Sequence, residues 1–400
     1  MTSPIQTALT YELATMRDIL PTGSKYACDI YIRGSYGPAN LGDDVLMMVI
    51  AKMVTQTFPE KKVWVSASHP EIAKTFLPDC DYVDLKDPIK CHIAIFGGGG
   101  QFFSFKADGT PQNRSITNAL KNLSIKSFIQ RVFIETKNGK GVAFDATKTA
   151  ALSLGIGPFE NGANDFNYIR AKNNLQRCSF ISVRDDMSYK IFQQITSRES
   201  RLHTDLSFLR EFWLKAPATT SPKEKKHQFG VIPRGWAKDQ KPAQHIEDLI
   251  RQIQNLNNKP ILISFDAKND EAIIKSLPNF KWLIWDPSKN NPCEFLQAIS
   301  NQCDYLVSTR AHGVMLAAAV GLPSIAVQIE PKLENIHKYF PNGTTLIKPE
   351  QLQDLPNILT DFENETDARS KMLNKEYCIQ ERIAIQMKNE FLEWMEKNVH

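Results

Sequence analysis

Short apolar runs alternate along this chain with segments of helical period, and the alternation starts afresh after residue 227. Residues 29–32, 62–67 and 93–96 read as β-strands, while 4–20, 45–57 and 70–77 carry apolar positions at helical spacing. Strands follow over 151–154 and 180–183, the latter leading into a helix over 187–195. The second series has strands over 228–232, 260–265, 282–285, 304–308 and 324–329, interleaved with helices over 244–256, 291–301 and 314–320. The last helix is rich in Ala, reaches Gly321 and is followed by Pro323, residue types that end helices. Residues 365–396 are mostly helical in pattern. Strands alternating with helices predict an α/β chain with parallel sheets.

The break lies at residues 216–227, which mix Pro, Ser, Thr and charge without periodicity and so read as a linker. We therefore expect two Rossmann-like domains facing a cleft, an N-terminal one over 1–215 and a C-terminal one over 228–364. The helical segment 365–400 is expected to pack back on the first. Residues 106–150, with helices over 116–121 and 127–135, read as an insertion or lid.

Composition narrows the class. Four hundred residues, 42% hydrophobic and 23% charged, suit a two-domain globular protein. A net charge of +4 without a long basic block does not suggest nucleic-acid binding. The start lacks the pattern of a secretory signal, and the longest apolar stretch, 314–322, is too short to span a bilayer. The expected location is cytoplasmic, with peripheral attachment at the inner face of the membrane as the other placement. The seven cysteines show no CxxC spacing, so neither a disulfide framework nor a metal site is expected.

Polar residues cluster where strands end, which is where open parallel sheets bind ligands. After the first strand comes Gly34-Ser35-Tyr36-Gly37-Pro38-Ala39-Asn40-Leu41-Gly42-Asp43-Asp44. It is neither a GxGxxG fingerprint nor a P-loop. Aspartates at a helix start repel phosphate, so Asn40, Gly42 and Asp43 suit the hydroxyls of a neutral polyol better than a nucleotide. Asp44 reads equally as a helix cap. The strand 93–96 ends in Gly97-Gly98-Gly99-Gly100, and Gly99 and Gly100 are candidates for a ligand-facing turn. Arg184, at another strand end, either meets substrate or pairs with Asp185 or Asp186.

In the second half, Ser308-Thr309-Arg310-Ala311-His312-Gly313 forms a strand-to-helix turn, where backbone N–H groups favour an anion. Arg234, in Pro233-Arg234-Gly235-Trp236, and Lys332 occupy other strand ends, and Trp236 reads as a sugar-stacking or core residue. The first half thus offers Gly, Asn and Asp; the second offers Arg, His and Lys. Phosphoenolpyruvate fits the cationic side because its phosphate and carboxylate can each take an Arg fork. A nucleotide-sugar pyrophosphate fits as well.

The run Gly34 to Asp43 resembles the amino-terminal motif of the polysaccharide pyruvyl transferase family. Phe96 to Gly100, Leu154 to Pro158, Ser182-Val183-Arg184-Asp185, Thr204-Asp205, Ile232-Pro233-Arg234, Ser308 to His312 and Glu330-Pro331-Lys332 resemble its later motifs in the same order. Ala311, Asp44 and Ile329 depart from the residues usual there. The resemblance implies a fold like that of GT-B glycosyltransferases, with phosphoenolpyruvate as co-substrate donor and no other cofactor. The acceptor would be a sugar, oligosaccharide or polysaccharide precursor. On this reading Arg234, Arg310, His312 and Lys332 bind the donor, and His312 holds phosphate or acts as general acid. Asp43 activates the acceptor, with Asn40, Gly42, Gly99, Gly100 and Arg184 as further acceptor contacts. The other readings are a nucleotide-sugar glycosyltransferase, with Glu330 or Glu334 at the ribose, and a non-catalytic sugar-binding or assembly protein.

Overall fold

The computed structural model describes residues 26–37, 39–84, 87, 89–104, 144–159, 161–214, 227–235 and 244–400. The expected helices over 4–20, 116–121 and 127–135, most of the 106–150 insertion and of the linker, and Trp236 lie outside the described residues. Two compact units result. The first draws on Met1–Gly37, Ile50–Asp205 and Met387–His400, the second on Pro38–Val49 and Leu206–Gln386.

In the first unit, a seven-stranded parallel sheet has the order β3-β2-β1-β4-β5-β6-β7. Its strands are β1 (Tyr26–Arg33), β2 (Val63–Ser66), β3 (Asp81–Val83), β4 (Ile89–Ser104), β5 (Phe144–Phe159), β6 (Phe180–Val183) and β7 (Arg201–Leu202). The central strands are buried on both faces, so they read as continuous apolar runs. Phe96, Phe102, Leu154, Ile181, Val183 and Phe192 form the larger part of its core. The chain's last residues return to this sheet, with the Phe391 ring 5.4 Å from that of Phe180 and His92 Nε2 2.8 Å from the Asn398 carbonyl.

One expectation is corrected here. β4 does not stop at the glycine run but continues through it to Ser104, pairing Gly99 with Leu154 and Gly100 with Gly155. Gly98 and Gly99 have φ of 53° and 71°, values that side chains disfavour, and only glycine lets the ladder continue across them cheaply.

In the second unit, a six-stranded parallel sheet has the order β10-β9-β8-β11-β12-β13. Its strands are β8 (Phe229–Ile232), β9 (Ile261–Ser264), β10 (Trp282–Ile284), β11 (Tyr305–Ser308), β12 (Ser324–Val327) and β13 (Thr344–Ile347). The chain moves outward one way from β8 and the other way from β11. The loops after these neighbours therefore diverge and open a crevice at the carboxyl edge, where doubly wound sheets bind ligands. Phe229, Val231, Leu262, Val307, Ile325 and Val327 pack with Ile246, Leu249 and Phe362 from flanking helices. A helix of 42 residues, Leu355–Glu396, closes the chain. Among the described residues no helix is long and apolar enough to cross a membrane.

Candidate functional site

The site is built at the carboxyl edge of the six-stranded sheet, from the loops after β8, β9, β11 and β12. After β11, Thr309 N donates to the Ile232 carbonyl at 3.1 Å, tying the end of β11 to that of β8. Ser308 Oγ accepts from Arg310 N at 3.1 Å, and Arg310 is the N-cap of the helix Ala311–Ala319. His312 is thereby the second residue of that helix, half-buried, while Arg310 is buried.

Both arginines have carboxylate partners. Arg310 Nε donates to the Pro233 carbonyl at 3.0 Å and Nη2 to Asp270 Oδ1 at 2.6 Å. Arg234 Nη1 lies 2.7 Å from Glu330 Oε1, and the Glu330 side chain is buried as the N-cap of the helix Pro331–Tyr339. Lys332, second in that helix, is half-buried. The four predicted cationic groups therefore do occupy one sheet edge, but they are interleaved with acids.

The most informative departure from the sequence reading concerns the amino-terminal motif. It was expected on the wall opposite the Arg and His residues; instead Asn40 to Asp44 belong to the same compact unit as the six-stranded sheet. The helix begins at Leu41, not at residue 45, so Gly42, Asp43 and Asp44 form its first turn. Leu41 N donates to the Phe265 carbonyl at 2.9 Å, and Asn40 Nδ2 approaches Asp266 Oδ2 at 3.5 Å. Asn40 Oδ1 accepts from Gly42 N at 3.1 Å. Gly42 itself lies against the His312 imidazole: a Cβ there would overlap the ring and stand 2.8 Å from the histidine Cβ. Glycine is needed for that approach.

Asp44 is fully buried and accepts from Trp285 Nε1 at 2.8 Å. Burial pushes its carboxyl up to about 8, with the charges of Asp43 and Asp266 adding to the rise and the Trp285 bond offsetting part of it. At neutral pH it is mostly protonated. This is a burial effect that its place at a helix start, which favours the anion, does not overcome. Asp43, beside it, is half-buried.

Three predicted acceptor residues belong to the other unit. Gly99 and Gly100 sit inside the β4–β5 ladder rather than in a turn. Arg184 is buried, with Nη1 3.0 Å from Asp205 Oδ2 and Nε 3.4 Å from Asp185 Oδ2. Of the alternatives left open for Arg184, the structure displays the ion pair.

Sequence reasoning did not single out Asp266, Asp270 or Trp285. Asp270 is fully buried and accepts from Arg310, from Gly235 N at 2.7 Å and from Ser264 Oγ at 2.7 Å. Asp266 is the N-cap of the helix Ala267–Ser276, holding Asn269 N at 3.2 Å and Asn269 Nδ2 at 2.6 Å. The only local signal was an acid at a strand-to-helix junction.

Solved structures with the same fold include HepE of Anabaena in complex with UDP-glucose, 14% identical, with a TM-score of 0.52, covering 92% of this chain and all of HepE. A putative UDP-N-acetylglucosamine 2-epimerase of Listeria monocytogenes is 10% identical with a TM-score of 0.48, over 89% of this chain and 91% of that one. WaaG, a glycosyltransferase involved in lipopolysaccharide biosynthesis, is 12% identical with a TM-score of 0.43, over 90% and 99% of the respective chains. The sheet topology together with the likeness to HepE shows an α/β, GT-B-like fold with a parallel sheet in each unit. No curated protein matches the sequence significantly. The family model for polysaccharide pyruvyl transferases matches residues 40–331, from the Asn40 motif to the start of the helix after β12. The chain therefore belongs to the polysaccharide pyruvyl transferase family.

Proposed function

We propose that this polysaccharide-modifying transferase moves the pyruvyl group of phosphoenolpyruvate onto two hydroxyls of a sugar in a cell-surface polysaccharide or its precursor. The observation that carries this reading is the packing of Gly42 against His312. It sets a carboxylate able to activate a hydroxyl, Asp43, one residue from a side chain able to move a proton near neutral pH.

The reaction adds a proton to the methylene carbon of the enol phosphate, which becomes the ketal's methyl group. One acceptor hydroxyl bonds to the resulting electrophilic carbon, and the second displaces phosphate from it. Of the two hydroxyl protons, one balances the proton taken up by carbon and the other leaves with phosphate. In this scheme His312 is the general acid or the phosphate contact, and Asp43 orients or deprotonates the acceptor. Arg310, Arg234 and Lys332 offset the charge that grows on the departing phosphate. A donor of this kind places the reaction in the cytoplasm.

The test is an acceptor screen with phosphoenolpyruvate, read by mass for the added pyruvyl group and by released phosphate. Sugar transfer from UDP-glucose, with no product from phosphoenolpyruvate, would replace this reading by the nucleotide-sugar one. Binding of an acceptor without turnover of either donor would leave a sugar-binding protein.

A further inference from the structure

Asp270 is placed unlike any other acid at this edge. It enters from the helix after β9, yet its carboxylate is spent on three different elements: Ser264 at the end of β9, Gly235 N after β8, and Arg310 after β11. The two loops it joins, after β8 and β11, are those that diverge at the point where the strand order reverses. It is 0% exposed, so no ligand reaches it directly.

Arg310 is held on two sides, by Pro233 through Nε and by Asp270 through Nη2, while its Nη1 makes no hydrogen bond among the described residues. A guanidinium is a rigid planar fork. Fixing two of its nitrogens determines where the third points. We propose that Asp270 is a positioning residue: it orients Arg310 so that Nη1 is presented to an anion bound where β11 ends. The inference rests on the reading of this edge as an anion site, and it deepens that reading.

Charge alone makes the opposite prediction. Removing a buried negative charge beside Arg310 raises the local positive charge by one, and an anion should then bind more tightly. Orientation predicts weaker binding, because a neutral amide holds the guanidinium with a weaker bond than a carboxylate does. The two accounts differ in sign.

The experiment is a double-mutant cycle in the full-length protein, using Asp270→Asn and Arg310→Lys, with phosphoenolpyruvate and UDP-glucose as separate calorimetric probes. Asp270→Asn is expected to weaken binding of the competent probe about tenfold, and to add almost nothing once Arg310→Lys is present. Tighter binding in Asp270→Asn, or fully additive losses in the double variant, would overturn the proposal. If Asp270→Asn does not fold, Ser264→Ala, which removes the hydroxyl on the far carboxylate oxygen together with its acceptance from Asp266 N, is expected to show a smaller loss with the same dependence on Arg310. Coupling seen with UDP-glucose, in a protein that does not bind phosphoenolpyruvate, supports the positioning role and removes the pyruvyl reading. Phosphoenolpyruvate binding with additive losses does the reverse, and binding of neither probe removes both.

Discussion

Gly42 and His312 are separated by 270 positions in the chain, yet the absence of a side chain on the first is what makes room for the imidazole of the second. Gly42→Ala must therefore displace His312. Turnover is expected to fall by roughly a hundredfold, the scale of loss that a misplacement of about 1 Å can bring. Because alanine favours a helix over glycine, stability should change little. Initial rates and thermal melting together check this; a variant as active as wild type would mean that His312 is not needed where it stands.

His312→Asn keeps a polar group but cannot exchange a proton near neutrality. If His312 is the general acid, kcat drops by about 10²–10⁴ and one limb of the pH–rate profile disappears, with KM changed less. A rise in KM with the pH profile intact would instead assign it to holding phosphate.

The raised carboxyl of Asp44 has a stability signature. An unfolded aspartate releases its proton near its ordinary value of 3.8, whereas the folded one keeps it to about 8. Between these values the folded state binds more protons, so stability falls as pH rises through that window. Asp44→Asn, which can still accept from Trp285, removes the slope. Its melting temperature should exceed that of wild type by roughly 5 °C at pH 8 and match it at pH 4. Parallel curves across the range would contradict the assignment.

Arg184 is expected to act on folding. Arg184→Ala removes the guanidinium beside Asp205, whose side chain is 1% exposed, and should cost roughly 3–5 kcal/mol in denaturant unfolding. Arg184→Ala combined with Asp205→Ala should recover part of that loss. Turnover per folded molecule should stay near wild type, and a large rise in acceptor KM would restore the substrate contact considered from sequence.

Turnover is expected to persist in a chelator, because the proposed scheme offsets the charge on the departing phosphate with Arg310, Arg234 and Lys332. Loss of phosphate release in EDTA, restored by a divalent cation, would contradict this.

Much of the architecture was legible because buried parallel strands are unbroken apolar runs, as in Phe229–Ile232 and Tyr305–Ser308. Three of the four edge strands escaped notice: Arg201–Leu202 is two exposed residues, and Asp81–Val83 and Thr344–Ile347 are short and mixed in polarity. The places of Arg234, Arg310 and His312 follow from their strands, so they too could be read. Asp270 could not, because in Ala267–Ser276 it looks like any acid in the first turn of a helix. Its burial depends on Arg310 and Gly235, which local pattern does not reveal. The contacts of the Asn40 motif escaped the sequence for the same reason: it follows a strand of the first unit directly, and only tertiary contacts carry it to Phe265 and Trp285.

The return of Asn40 to Asp44 to the second sheet, like that of Met387–His400 to the first, means that neither unit is encoded by one uninterrupted stretch. A gene cut within residues 216–227 would yield one fragment bearing the Asn40 motif without the strands it rests on, and another bearing His312 without its glycine neighbour. Recombination between relatives at that point would exchange half a site. The natural units of inheritance here are the interleaved segments together, and exchanging the second unit whole between relatives calls for moving 38–49 along with 206–386 rather than halves divided at the linker.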